Sequence, residues 1–399
     1  MKSRYKAILA STLIVLGFAI LFNTYGYNAT WELWNIPTMS PHFADLRTIT
    51  HGAESFAQGF DPMIENPADP WNRTLNYPRV WQTLYLLGIN QAHTTSLGLT
   101  IIFSFLIGVC LVLPRAHNII ITLVFSAVLS PAILLGIERA NIDLLMFFLA
   151  SLSILAIQRS YFFSGLAILI GFTLKLFPLF GWAVLLRMGK SKFFISTIIA
   201  LICVSTYTLA TFSDILLIRR QTPTNIGLSY GMDVFWMALS DINATIGVYA
   251  KVVSYLTVLL IFAFAFSPLF RNDTILEEQN DTLYLDAFRL GSAIYVGTFL
   301  LGNNWDYRLM FLIFTLPQLI LWTKRSVSIS IYSLLMISVI LISVWHLIID
   351  SVLRYLPYGN YLSFVLDEMA NWITFTGLVY LLIWSLPTWA KHIIHKPNA

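Results

Sequence analysis

The residues best placed to do chemistry lie in the first long polar stretch, Ser40 to Pro78, and its flanks. From Glu32 to Arg79 six acids (Glu32, Asp45, Glu54, Asp61, Glu65 and Asp69) meet three arginines and no lysine. Asp45 enters an amphipathic helix just outside a membrane, a position suited to taking a proton from a substrate at the bilayer surface. The plainer alternative is that Asp45 complements the helix dipole. Glu54 and Asp61 are the other candidate carboxylates of this stretch. Three further groups of charge stand out along the chain. The turn GIERANID gathers Glu138, Arg139, Asn141 and Asp143. Lys175, in LKLFP, interrupts an apolar run, where a lysine is costly and points to function unless it snorkels to the interface. Asp306 and Arg308, in NNWDYRL, face outward between two short apolar runs, with a structural ion pair as the alternative. Arg219 and Arg220 lie in a later polar loop.

These residues need a scaffold, and composition says which kind. The chain has 399 residues, 57% hydrophobic and 11% charged, with a mean hydropathy of +0.74. Apolar runs long enough to cross a bilayer recur throughout, without the alternation of a membrane barrel, so the runs are helices. The expectation is an all-α, polytopic transmembrane protein forming a single integral membrane domain over 1–399. MKSRYK precedes the first apolar run, Ala7 to Tyr25, as for an uncleaved anchor with a cytoplasmic N-terminus. The first extracytoplasmic loop, 26–93, then carries an interfacial helix. Its apolar stripe is Leu46, Ile49, Ala53 and Phe56; Arg47, His51, Glu54 and Gln58 lie opposite, with Ser40-Pro41 as start and Gly59 as stop.

Apolar runs follow at about Thr94–Leu113, Asn118–Gly136 and Ile142–Ile157. The joints PRAHN and QRSYF should be cytoplasmic, and GIERANID outside. Phe162 to Leu186 would pass as one span. However, RMGKSK after it is basic, and QRSYF before it is already cytoplasmic. One crossing cannot start and finish on the same side. The run therefore reads as two short helices turning at LKLFP, each reaching roughly 18 Å of the roughly 30 Å hydrocarbon core. Phe193–Phe212, Lys251–Phe270, a short pair around NNWDYRL, Ser326–Ile349 and Trp372–Trp389 complete about twelve helices. The expected outer loops between them are 213–250 and 350–371, with an acidic cytoplasmic joint from Arg271. The tail KHIIHK is cytoplasmic, and both termini lie on that side.

Several function classes drop out. Cys110 and Cys203 sit in apolar runs and read as core thiols. The seven histidines show no metal-ligand spacing, so no metal is expected. No phosphate-binding glycine loop occurs, which argues against a cytosolic nucleotide. No cofactor and no nucleic-acid partner are expected. The unusual polar residues instead gather on the outer side, leaving a hollow beneath the outer surface.

This pattern resembles the GT-C fold of membrane glycosyltransferases, in particular bacterial glycosyltransferase family 87, the mannosyltransferase-like proteins. The resembling residues are ADLRTITHGAESFAQGFDP with NYP, GIERANID, GLAILIGFTLKLFP and NNWDYRL, in that order over most of the chain. Met63 stands where the family often has Tyr, Arg79 where it often has a second Pro, and Glu138-Arg139 fill a turn that is frequently Gln-rich. The resemblance implies transfer of a sugar, with inversion, from a polyprenyl-phosphate donor to a hydroxyl of a lipid or glycan acceptor, outside the bacterial plasma membrane. It carries the role of base over to Asp45. The leaving phosphate needs cations, for which Lys175, Arg139 and Arg308 are candidates, with Arg219 and Arg220 behind them. Asp61, Glu54, Tyr77, Asn141 and Asp306 are candidate substrate contacts, and Trp71 and Tyr77 are placed to stack on sugar rings. The alternative is a transporter or flippase of a lipid-linked sugar, although repeated halves, common in transporters, are not evident.

Overall fold

Pro131, Pro178 and Pro317 each stand at the start of a helical segment. There the missing N–H costs nothing, and the ring ends whatever helix came before. A computed structural model, which describes residues 2–113, 116–270 and 282–394, shows what these breaks do. The run expected as one crossing near 118–136 is two helices, Asn118–Val128 and Pro131–Glu138, bent by 55°.

At Pro178 the chain reverses. The helix Tyr161–Leu174 is followed by a 3-10 segment, Phe177–Arg187, running back along it. Gly165 lies against Trp182, Gly181 against Ile168 and Gly171 against Pro178, an antiparallel register that small residues permit by letting the backbones close up. Both ends of this hairpin meet the same carboxylate. Asp286 Oδ2 accepts from Gln158 Nε2 at 2.9 Å and from Arg187 Nη1 at 2.8 Å. The chain therefore enters and leaves at one end of the bundle and turns beside Lys175 at the other, as the basic flanks require.

A second reversal joins the helix Thr282–Leu300 to the 3-10 segment Asp306–Phe314 and the short helix Leu316–Trp322. It turns through Gly302, at φ 110°, into a two-residue strand Asn304–Trp305 paired antiparallel with Ser229–Tyr230. A Cβ on Gly231, at φ 134°, would overlap the Gly302 carbonyl, so this turn depends on glycine on both sides. Within the hairpin a Cβ on Gly291 would lie 2.6 Å from the Phe311 carbonyl oxygen and 2.7 Å from Phe314 Cβ. Gly291→Ala is expected to cost about 1–3 kcal/mol through overpacking, seen as a lower melting temperature in detergent. An unchanged melt would mean that this hairpin is looser than described.

Among the described residues five helices are long and apolar enough to cross a membrane: Tyr5–Tyr25, Gln91–Leu111, Lys190–Ala210, Ala244–Ser267 and Val327–Leu353. The bent pair makes six. The chain is a predominantly helical membrane protein. The expected count of about twelve helices included short paired segments, which are not long enough to count as crossings. They instead form the centre, where Phe147 stacks on Phe314 with ring centroids 4.2 Å apart. The long helices Lys190–Ala210 and Ala244–Ser267 are mostly exposed, with apolar side chains outward, as a lipid solvent requires.

Two expected outer loops are largely helical. Residues 213–250 contain Phe212–Gln221, Val234–Ile242 and the start of Ala244–Phe270. The stretch 350–371 holds the end of Val327–Leu353 and half of Gly359–Trp384, because Asp367 and Glu368, which look like loop residues, are buried in that helix. The acidic joint from Arg271 and the end of the tail fall mostly outside the described residues, as do Pro114 and Arg115 of the PRAHN joint.

Candidate active site

The interfacial helix runs Ala44–Ala57 and ends just before Gly59, at φ 92°. Leu46, Ile49 and Ala53 are buried, while Phe56 packs edge-on against Tyr85. His51, expected on the polar face, is also buried, because its Nδ1 and the Thr50 hydroxyl find partners inside the helix and on Thr94. The first N–H groups of a helix lack internal partners. Here Asp45 N and Leu46 N both donate to the Arg139 carbonyl, at 3.2 and 3.4 Å, which docks the start of the helix on the GIERANID turn. Arg73, held by Asp69 in a 2.9 Å ion pair, donates to the Ala44 carbonyl at 2.6 Å from the other side.

Two helix ends converge on that turn. Asp143 opens the helix Asp143–Ala156, with its own N–H donating to Asn141 Oδ1 at 2.9 Å. Lys175 closes the helix Tyr161–Leu174, whose last carbonyls accept from Trp81 Nε1 at 2.9 Å and Tyr207 Oη at 3.2 Å. An anion at a helix start and a cation at a helix end each complement their own dipole. They then pair with each other: Lys175 Nζ lies 2.5 Å from Asp143 Oδ1, and Arg308 Nε lies 3.0 Å from Asp143 Oδ2. Arg308 also donates through Nη1 to Asn304 and rests on the Phe177 ring, its Cζ 4.5 Å from the centroid. Lys175 Nζ sits 5.0 Å above the Tyr77 ring.

Asn141 joins this cation pair to the interfacial helix. Its Oδ1 accepts from Lys175 Nζ at 3.3 Å, so its Nδ2 turns to Asp45 Oδ2 at 2.5 Å. Asp45 Oδ1 makes no hydrogen bond among the described residues. Asp143 is fully enclosed, whereas the Lys175 and Arg308 side chains each keep 14% of their surface open. The result is a carboxylate with one unengaged oxygen beside two cations anchored from behind. That arrangement can take a proton from a hydroxyl while holding an anion next to it.

Of the residues singled out in the sequence, Asp45, Asn141, Lys175, Arg308 and Tyr77 come together. The others lie elsewhere. Arg139 directs Nε to Glu138 at 3.1 Å and Nη2 to the Pro37 carbonyl at 3.0 Å, so it contributes its backbone to the site and fastens its side chain to the preceding loop. Arg219 and Arg220 are exposed at the end of Phe212–Gln221. Glu54 caps a short turn through Gln91 N at 3.0 Å. Asp61 is clasped by both terminal nitrogens of Arg79, which also reaches Asp214 at 2.9 Å. Burial alone would raise the Asp61 carboxyl; the Arg79 and Met63 hydrogen bonds outweigh it and hold it below its ordinary range. Asp306 neither faces outward nor pairs with Arg308: it is wholly buried, 3.2 Å from His346.

Asp143, which the sequence offers only as part of the GIERANID turn, and Asn304 orient both cations. The sequence held one signal for Asp143. Two cations sunk among apolar segments demand an anion, and a carboxylate two residues after Asn141 was at hand. No protein-family model, curated protein or solved structure matches the chain.

Proposed function

We propose that the protein is a GT-C-type hexosyltransferase of the membrane, akin to bacterial glycosyltransferase family 87. It moves a hexose, mannose being the first candidate, from a polyprenyl-phosphate donor to a hydroxyl of a lipid-linked or glycan acceptor. The observation that carries the reading is the pairing of a half-engaged carboxylate, Asp45, with the partly open cations Lys175 and Arg308 across Asn141.

In the proposed step the acceptor oxygen attacks the anomeric carbon from the face opposite the phosphate, and Asp45 Oδ1 takes its proton. The bond from the anomeric carbon to the phosphate oxygen breaks, and its electron pair leaves with the lipid phosphate. That group is anionic before and after the step, so it needs fixed cations and no acid. Lys175 and Arg308 meet the need, because Asp143 and Asn304 hold them in place without covering them. Attack opposite the leaving group inverts the configuration. The direct assay is transfer of labelled mannose from polyprenyl-phosphate mannose to lipid acceptors by the purified protein in detergent. Transport of a lipid-linked sugar across vesicles, with no transfer to any acceptor, would falsify the enzyme in favour of the flippase.

The site belongs, in this reading, on the extracytoplasmic side of the bacterial plasma membrane, with both termini in the cytoplasm. The hairpin makes this testable. After replacement of Cys110 and Cys203, single cysteines at positions 159 and 190 are expected to resist an impermeant thiol reagent in intact cells, while one at position 60 reacts. Labelling of 190 from outside would reverse the assignment.

A further inference from the structure

Away from the candidate active site, a second group of ionisable side chains is sealed inside the helices. Asp306 opens its 3-10 segment, His346 lies on Val327–Leu353, and Asp367 and Glu368 lie on Gly359–Trp384; none is more than 7% exposed. His346 Nε2 is 3.2 Å from Asp306 Oδ2, and its Nδ1 is 4.0 Å from Asp367 Oδ1 and 2.9 Å from the Ser343 carbonyl. Asp367 Oδ1 also accepts from Asn371 Nδ2 at 3.1 Å. Glu368 faces both Asp306 and Asp367. Asp306 Oδ1 makes no hydrogen bond to the protein, and the Glu368 carboxyl has only the Trp372 indole, one turn along its own helix, to engage among the described residues.

The charges do not balance. Among the described residues, the other titratable groups packed around the cluster are the phenols of Tyr295, on Thr282–Leu300, and Tyr230, on its short strand; they are neutral and bound to Asn371 and Thr298. Among the described residues no lysine or arginine pairs with any of the three carboxyls. Arg308, two residues from Asp306, is turned to Asp143 and Asn304. A single imidazolium can offset only one carboxylate, and an ionised carboxylate buried without a partner is strongly disfavoured. Two carboxyls must therefore be neutral, or some other cation must lie among them. Among the described residues no three His, Cys, Asp or Glu groups are arranged for a metal ion. The Glu368 carboxyl and the unpartnered Asp306 oxygen are placed for protons.

We infer that Asp306, His346, Asp367 and Glu368 form an intramembrane proton-binding site that keeps two carboxyls neutral at neutral pH. This goes beyond the transferase reading and does not depend on it. The site also adjoins the cation pair along the chain. Asn304, Asp306 and Arg308 share one segment, pinned by Asp306 N donating to the Leu228 carbonyl at 3.0 Å. Loss of a proton would place uncompensated negative charge two residues from Arg308, in competition with Asp143.

The test needs no substrate. Infrared spectra of the full chain in lipid nanodiscs are recorded at neutral pH in H2O and in D2O, for the natural protein and for Asp306→Asn/Asp367→Asn/Glu368→Gln. The difference spectrum is expected to contain a protonated-carboxyl carbonyl band that shifts down in D2O. Amides resemble neutral carboxyls, so the variant is expected to fold. Should it not, Glu368→Gln alone, whose amide oxygen can still accept from the Trp372 indole, must lose part of the same band. The proposal is overturned if the difference spectrum lacks that band. It is equally overturned if sodium or potassium chloride abolishes the band in the natural protein, since a cation would then be the occupant.

Discussion

Asp45→Asn is expected to fold normally and to lose sugar transfer by roughly 10²–10⁴-fold, the usual worth of a general base. The substitution keeps the shape and removes the basicity. It also leaves the backbone docking of the interfacial helix, Asp45 N and Leu46 N to the Arg139 carbonyl, in place, and the amide oxygen can still accept from Asn141 Nδ2. Glu54→Gln and Asp61→Asn serve as controls within the same loop. Glu54 is occupied by Gln91, and Asp61 by Arg79, so their amides are expected to change the rate far less. The measurement is initial rate with polyprenyl-phosphate mannose on variants matched for melting temperature. An active Asp45→Asn beside an inactive Asp61→Asn would move the base to Asp61. Near-normal rates in all three would turn the reading towards the transporter.

The second large effect is on stability. Asp143 is the only carboxylate in ion-pair contact with Lys175 and Arg308 among the described residues, and its side chain is fully enclosed. Asp143→Asn leaves two mostly buried cations facing an uncharged amide. Removing one partner of a buried ion pair costs about 3–5 kcal/mol, chiefly because the remaining charge stays uncompensated. Asp143→Asn is therefore expected to melt well below the natural protein, with detergent extraction falling in step. A second change distinguishes lost charge from lost packing. Lys175→Met in the Asp143→Asn background deletes one surplus cation and is expected to recover part of the stability, although not transfer. A double variant as unstable as the sum of its parts would sink the charge explanation, and an unperturbed Asp143→Asn would show that water already compensates these cations.

The sequence by itself settled the solvent and the punctuation of the fold. Apolar runs without alternation leave helices as the answer in lipid, since unpaired backbone groups have no water to turn to. The reversal at LKLFP was also readable, because basic residues on both flanks of Phe162–Leu186 forbid a single crossing, and Lys175 with Pro178 marks where the chain turns. The entry of Asp45 into the interfacial helix followed from the stripe Leu46, Ile49 and Ala53. What only the tertiary structure decided is which charges meet. Asp45 joins Asn141 across 96 residues, Lys175 joins Asn141 across 34, and Arg308 joins Asp143 across 165. Local pattern carries no information on such distances, since the partner of a buried charge depends on which helix ends pack together. Asp306 makes the same point. Two residues from Arg308 in NNWDYRL, it was expected to face outward beside that arginine, with an ion pair between them as the alternative. The 3-10 segment instead turns it into the helices, towards His346, and leaves Arg308 facing Asp143. In a low-dielectric interior each ionisable group needs its own compensating partner, and the packing of the short hairpins determines which one it finds.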